Sequence, residues 1–206
     1  MIGSDTHRPG FDRRMSKDEI NACPMERWNG EVSVVRTRAE LTVAMGMLDG
    51  HTLLGFDTET RPAYKKGESY PPALLQLASN DHVFIFQLKH LGLAKPLKDI
   101  LSDSAIIKAG VSLDYDIREL KELSGFKAGG FTDLGNLARK AGIKNHGLRG
   151  LAAVFLGIRI SKGAQTSNWA RDELTLQQIQ YAATDAWVGR RIYQALEKTI
   201  DKETTV

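Results

Sequence analysis

The pattern of apolar and polar positions divides the chain into a short polar segment and a longer segment with strand and helix signals. Residues 1–30 are polar, mixed in charge and without periodicity, which predicts a loosely attached N-terminal arm. From residue 31 the sequence "EVSVV" predicts a strand, and "TRAELTVAMGMLDG" predicts a helix that ends near Gly50. We therefore expect one folded domain over residues 31–206, preceded by the arm.

Three apolar runs follow, each short enough for a strand. The first covers residues 52–58 approximately, and the others read "ALLQLAS" and "HVFIFQ". Asn80 and Asp81 separate the last two runs, and this pair favours a tight hairpin turn. The pattern indicates adjacent strands in the first half of the domain.

The second half alternates between helix and strand signals. One strand, "AIIKAGV", lies among helices predicted at "LAKPLKDILS", "LDYDIRELKELSG", "LGNLARKAG" and "GLRGLAAVFLG". The last helix begins at a capping box formed by Thr175 and Gln178, and its small apolar residues recur every three or four positions. Adjacent strands followed by alternating helix and strand predict an α/β fold, with a mixed β-sheet flanked by helices.

Composition and length narrow the class of protein. The 206 residues, 42% of them apolar and 26% charged, suit one globular domain. No apolar stretch approaches the roughly 20 residues that cross a bilayer, and residues 1–14 show no secretory signal. Cys23 is the single cysteine, and the five histidines lack metal-ligand spacing. We expect a cytoplasmic location, no membrane partner and no histidine or cysteine metal site.

The charge distribution is more informative than the net charge of +3. No acidic residue occurs between Asp133 and Asp172, and a polyanion suits a segment with one sign of charge. A solvated basic face remains the alternative at this point. The basic residues of this segment are Arg139, Lys140, Lys144, Arg149, Arg159, Lys162 and Arg171.

Two acids follow the apolar run in "GFDTET". Asp57 and Glu59 are two residues apart, so their side chains share one face if the strand extends that far. Neighbouring carboxylates raise each other's pKa unless a positive charge lies between them, and Mg²⁺ or Mn²⁺ prefers such oxygen ligands. A solvated loop after the strand is the alternative that these two residues alone leave open.

Further acids occur at two other positions that suit a site. Asp114 and Asp116 directly follow an apolar strand, at the end where open α/β sheets place their sites. Either acid could instead stabilise a helix N-terminus. Tyr181 and Asp185 are four residues apart on the last helix and therefore share a face.

Taken together, "FDTET", "AGVSLDYDIREL" and "YAATDA" resemble the three motifs of the DEDD superfamily of 3′-to-5′ exonucleases, particularly its ribonuclease D and Werner-helicase-exonuclease group. The likeness extends from about residue 30 to 197. The motif aspartate of "LDYDI" matches Asp116, with Asp114 as the alternative. Tyr181, four residues before Asp185, matches the tyrosine branch (DEDDy). Glu173 departs from the family, because many relatives have proline there.

The resemblance implies a ribonuclease H-like fold and a two-metal hydrolase that releases nucleoside 5′-monophosphates from the 3′ end of DNA or RNA. Two Mg²⁺ or Mn²⁺ ions would be held by four carboxylates, with Asp57 between both ions. Glu59 and Asp185 would complete the site of the water-activating ion, and Asp116 would serve the other ion. Tyr181, with Glu59, would orient the attacking water.

The expected partner is a nucleic acid with a single-stranded or frayed 3′ end. Base stacking and phosphate contacts are typical of such binding. The candidate substrate contacts are Thr58, Arg149, Lys162, Asn168 and Trp169, with a core packing role as the alternative for Trp169. Self-association or an accessory protein is a candidate source of further affinity. The alternative function is a catalytically weak nucleic-acid-binding module of the same fold.

Overall fold

The structure is a computed structural model that describes residues 9 to 204, with side chains described as far as residue 199. This part of the chain contains six strands and eight helices, none of them long and apolar enough to cross a membrane. The elements are α1 (Lys17–Ala22), β1 (Glu31–Val35), α2 (Arg38–Leu48), β2 (Leu53–Thr60), β3 (Pro72–Ala78), β4 (His82–Gln87), α3 (Leu88–Leu91), α4 (Lys95–Ser102), β5 (Ile107–Gly110), α5 (Leu113–Leu123), β6 (Phe131–Asp133), α6 (Leu134–Lys140), α7 (Leu148–Leu156) and α8 (Leu176–Thr204).

The six strands form one mixed sheet in the order β1-β4-β3-β2-β5-β6. The central strands β2, β3 and β4 are antiparallel, whereas β1 is parallel to β4, and β5 and β6 extend the other side in parallel. The predicted hairpin joins β3 to β4, where the Ser79 amide donates to the His82 carbonyl at 2.8 Å. The predicted mixed α/β architecture is confirmed.

Alternate residues of β3 face two separate apolar layers. Leu75 and Leu77 pack with apolar side chains of α2, α4 and α5 on one face of the sheet. Leu74 and Ala78 pack on the other face, with Ala182 and neighbouring small residues of α8. This alternation follows from the period of two along a strand that is buried on both sides.

Helix α8 lies against β2, β3, β4 and β5 and fixes the second layer. Its N-terminus has the predicted capping box, with the Gln178 amide donating to Thr175 Oγ1 at 3.2 Å and the Thr175 amide donating to Gln178 Oε1 at 3.0 Å. Close approach to the sheet requires glycine at position 55. A Cβ atom there would collide with the carbonyl oxygen of Ala186.

The N-terminal segment packs against the domain, so the prediction of a loosely attached arm is wrong for the part that the structure describes. The Met15 amide donates to Asn145 Oδ1 at 2.9 Å. Trp28 is 8% exposed, and its amide donates to Thr184 Oγ1 at 3.1 Å. Tertiary contacts of single residues hold this segment, and they leave no periodic pattern in the sequence. The first eight residues of the predicted arm lie outside the described residues.

The substitution Gly55→Ala is expected to destabilise the protein by about 3 kcal/mol, because the new methyl group forces α8 away from β2. Gly46→Ala is the matched control. Position 46 is exposed in the last turn of α2 with open space around it, so alanine there should stabilise the protein by about 0.5 kcal/mol. Urea denaturation measures both changes. Equal effects of the two substitutions would contradict the close packing of α8 on β2.

Candidate active site

Strand β2 holds two of the predicted carboxylates. It extends to Thr60, so Asp57 and Glu59 both lie within the strand and share a face. Their neighbours on β3 are Gln76 and Leu74, and the register shifts only after Glu59. The condition that the sequence left open, a strand long enough to include both acids, is therefore met.

Helix α8 brings the third carboxylate to the same place. Asp185 is 8% exposed, and carboxylate oxygens of Asp57, Glu59 and Asp185 all lie within 4.8 Å of one another. Tyr181 lies one turn earlier on α8, is 9% exposed, and its hydroxyl interacts with the Asp185 carboxylate. Residues that are far apart in sequence thus form one acidic cluster on two rigid elements.

Asp116 lies beside this cluster, in the first turn of α5. Its Oδ1 atom accepts a hydrogen bond from the Thr58 hydroxyl, on the strand residue between the two acids of β2. Asp116 is half-buried, and its charge contributes to the raised pKa of Asp57, whereas Asp114 is exposed to solvent. The structure therefore places Asp116, rather than Asp114, next to the acids of β2.

Two residues that were not predicted as site residues set the position of Asp116. Ser112 joins β5 to α5 with φ of 62°, a left-handed conformation that is uncommon outside glycine. Asp133 is the last residue of β6, and its two carboxylate oxygens accept from the amides of Leu113 and Asn136, at 2.9 and 2.8 Å. One carboxylate therefore anchors the starts of both α5 and α6.

Burial and mutual repulsion raise the pKa values of the acids. Burial is the largest cause for Asp57 and Glu59, followed by the neighbouring carboxylates, and the pKa of Glu59 rises to about 10. Burial raises the pKa of Asp185 to about 7 and also raises that of Asp116. Burial raises the pKa of the Tyr181 phenol too, so it stays protonated at neutral pH. The cluster therefore lacks compensating positive charge from its own side chains.

A cavity of about 230 Å³ opens onto the cluster. Its described lining includes Asp57, Glu59 and Asp185 but no lysine, arginine or histidine. Two oxygens on one Mg²⁺ ion are at most about 4.2 Å apart, twice the bond length of about 2.1 Å. The observed spacing up to 4.8 Å thus needs only a small inward movement, and the hard oxygen donors fit a divalent cation.

The other predicted substrate contacts differ in accessibility. Lys162 and Asn168 are exposed, and half-buried Arg149 donates from Nε to the Ile160 carbonyl at 3.1 Å. Trp169 is fully buried and packs against the ring of Tyr181, with 5.8 Å between centroids. The indole has no surface on which a base could stack, so burial supports the packing alternative for Trp169.

Comparison with known proteins places this geometry in a family. A sequence model described as 3′-5′ exonuclease matches residues 32–201. The mouse bifunctional 3′-5′ exonuclease/ATP-dependent helicase WRN is 33% identical over 160 residues, which cover 75% of this chain and 11% of that protein.

Solved structures show the same fold. The Nibbler EXO domain of Aedes aegypti has a TM-score of 0.77 and 22% identity, covering 86% of this chain and 93% of that one. RNase D of Escherichia coli, an exoribonuclease, has a TM-score of 0.74 and 21% identity, covering 84% of this chain and 46% of that one. The chain belongs to the 3′-5′ exonuclease family, which confirms the resemblance seen in the sequence.

The raised pKa of Asp185 predicts a pH dependence of stability for the protein without divalent cations. The folded-state pKa of about 7 exceeds the usual value of 3.8, so the folded form binds an extra proton between these values. Stability should therefore fall as pH rises from about 4 through 7. Asp185→Asn should flatten this decline, as measured by urea denaturation in a chelator at several pH values.

Asp114→Asn is the control for this measurement, because Asp114 is exposed. Its pH profile should match that of the wild-type protein. A decline of the same steepness in Asp185→Asn and in the wild-type protein would contradict the assignment of a raised pKa to Asp185.

Proposed function

We propose that this chain is a two-metal 3′-to-5′ exonuclease that hydrolyses phosphodiester bonds at the 3′ end of DNA or RNA and releases nucleoside 5′-monophosphates. The observation that carries the proposal is the cluster of half-buried Asp57 and Glu59 with buried Asp185, in a chain of the 3′-5′ exonuclease family. Rigid support from β2 and α8 suits the narrow geometry that phosphoryl chemistry requires.

The four carboxylates would hold two Mg²⁺ or Mn²⁺ ions. The charges of Asp185 and Asp116 both act on Asp57, so Asp57 would contact both ions, Glu59 and Asp185 would complete one ion's site, and Asp116 would serve the other. Such ions supply a hydroxide nucleophile near neutral pH and neutralise the departing 3′ oxygen. The Thr58 hydroxyl holds Asp116 at the edge of the cluster, which supports a positioning role for this threonine rather than direct substrate contact.

Tyr181 would orient the attacking water together with Glu59. Because its pKa is raised, the phenol is a hydrogen-bond donor and acceptor and not a base at neutral pH. Trp169 packs on the Tyr181 ring and restricts its position. At position 180, the position of histidine in the other branch of the family, the glutamine amide donates to the Trp28 carbonyl. These features support the tyrosine branch.

The substrate is proposed to be a single-stranded or frayed 3′ end. The cavity of about 230 Å³ is small, which favours one terminal nucleotide over a duplex end. Arg149, Lys162 and Asn168 are the proposed contacts to the strand. A binding module without catalysis is the second candidate, but all four acids and Tyr181 are present, with three acids in one cluster and Asp116 and Tyr181 beside it, which favours the enzyme.

Incubation with 5′-labelled single-stranded DNA or RNA should test this function. With Mg²⁺ or Mn²⁺ we expect stepwise shortening from the 3′ end, and chelator should abolish it. Asp57→Asn and Asp116→Asn should each reduce the rate by at least about 100-fold, because each removes charge that holds a cation. Gel electrophoresis resolves the products.

Asp114→Asn is the matched control, since it changes an exposed acid of the same helix turn. Its rate should equal that of the wild-type protein. Loss of activity in Asp114→Asn but not in Asp116→Asn would overturn the assignment of Asp116. If neither DNA nor RNA is shortened with either metal, the proposal of an exonuclease is wrong. The nucleic-acid-binding module would then be the remaining candidate.

A further inference from the structure

A groove of about 640 Å³ lies beside the active-site cavity. The two share four lining residues, so the groove opens directly onto the cluster. These shared residues are Leu148, Gln165, Tyr181 and Asp185. The cavity and the groove are therefore adjacent, with these four residues at their junction.

The N-terminal segment forms one wall of this groove. Residues 14–17 and Ile20 lie on one side, and the start of α7 with residues 160–162 lies on the other. The segment precedes residues 32–201, the part of the chain that the family model matches. This wall therefore comes from residues outside the matched part of the chain.

The charge of the groove is strongly one-sided. Of its described lining residues four are basic, and the only acid is Asp185, at the junction with the active site. The basic residues are Arg14, Lys17, Arg149 and Lys162. Glu19 of α1 does not line the groove, and its carboxylate is paired with Arg13 at 2.5 Å.

Three of these cations are available to a ligand. Arg14, Lys17 and Lys162 are exposed and form no ion pair within the described part of the chain. Arg149 is held in place, since its Nη2 donates to Asn21 Oδ1 of α1 at 3.2 Å. This contact also fastens the N-terminal wall to α7.

We propose that this groove binds the sugar-phosphate backbone of the strand whose 3′ end occupies the active site, with Arg14 and Lys17 of the N-terminal segment contacting its phosphates. The inference rests on the proposed function and adds the path of the strand to it. Non-sequence-specific neutralisation of phosphates by arginine and lysine is the usual source of affinity for single strands. The N-terminal segment thereby serves as a substrate-binding element.

The test is the salt dependence of binding. The protein carries Asp57→Asn so that strands stay intact, and the probe is a fluorescein-labelled oligothymidylate or oligouridylate of 12 nucleotides. Each neutralised phosphate of a single strand contributes roughly 0.7 to the slope of log affinity against log salt. Adding Arg14→Gln and Lys17→Gln together removes two phosphate contacts. The magnitude of the slope should therefore decrease by about 1.4, and binding should weaken at low salt.

Lys121→Gln with Lys127→Gln is the control, because both lysines are exposed, lie outside the groove lining and remove the same charge. This pair should leave the slope unchanged, and Lys17→Arg should retain it. Two results would contradict binding of the strand in the groove. One is an equal salt slope for the groove variant and its parent, and the other is an equal decrease of the slope in the control variant. Failure of the wild-type protein to shorten any strand would overturn the proposed function alone, since the slopes are measured without hydrolysis.

Discussion

The site depends on one constraint: the fold holds several carboxylates close together, although burial and mutual repulsion both disfavour their charged forms. Asp57, Glu59 and Asp185 come within 4.8 Å at their oxygens, and burial is the largest cause of the raised pKa of each. No side chain of the described cavity lining supplies a positive charge. Such a cluster destabilises the protein without a cation and stabilises it with one, which couples folding to ligand binding.

Rigid elements of the fold hold these acids together against their repulsion. Strand β2 is central in the sheet, and α8 lies close to it because Gly55 has no side chain to meet the Ala186 backbone. Asp185 is one residue from this contact, so the approach of helix and sheet sets the distance between the carboxylates. Asp116 comes from α5 and is held by Thr58, which links the fourth acid to the same strand. The site therefore depends on the close approach of α8 to β2 at Gly55.

The regular parts of the fold could be predicted from the sequence. Periodicity predicted the main strands and α8, and residue identities predicted its capping box. Motif order predicted four carboxylates, of which the structure brings Asp57, Glu59 and Asp185 within 4.8 Å, with Asp116 beside them. Other features depend on tertiary contacts. Strand β6 has three residues, too few for a period, and the packing of the N-terminal segment rests on single contacts such as Trp28 with Thr184. Helix α1 nevertheless has a local signal in the sequence, the capping box of Ser16 with Glu19.

The central claim is that the carboxylate cluster holds divalent cations. The most direct measurement is a titration with Mn²⁺ followed by electron paramagnetic resonance, in the presence of a nucleoside 5′-monophosphate. The wild-type protein should bind two ions, Asp116→Asn should lose one, and Asp57→Asn should lose both, because Asp57 would contact each ion. Absence of Mn²⁺ binding by the wild-type protein, or unchanged binding in Asp57→Asn, would contradict the account.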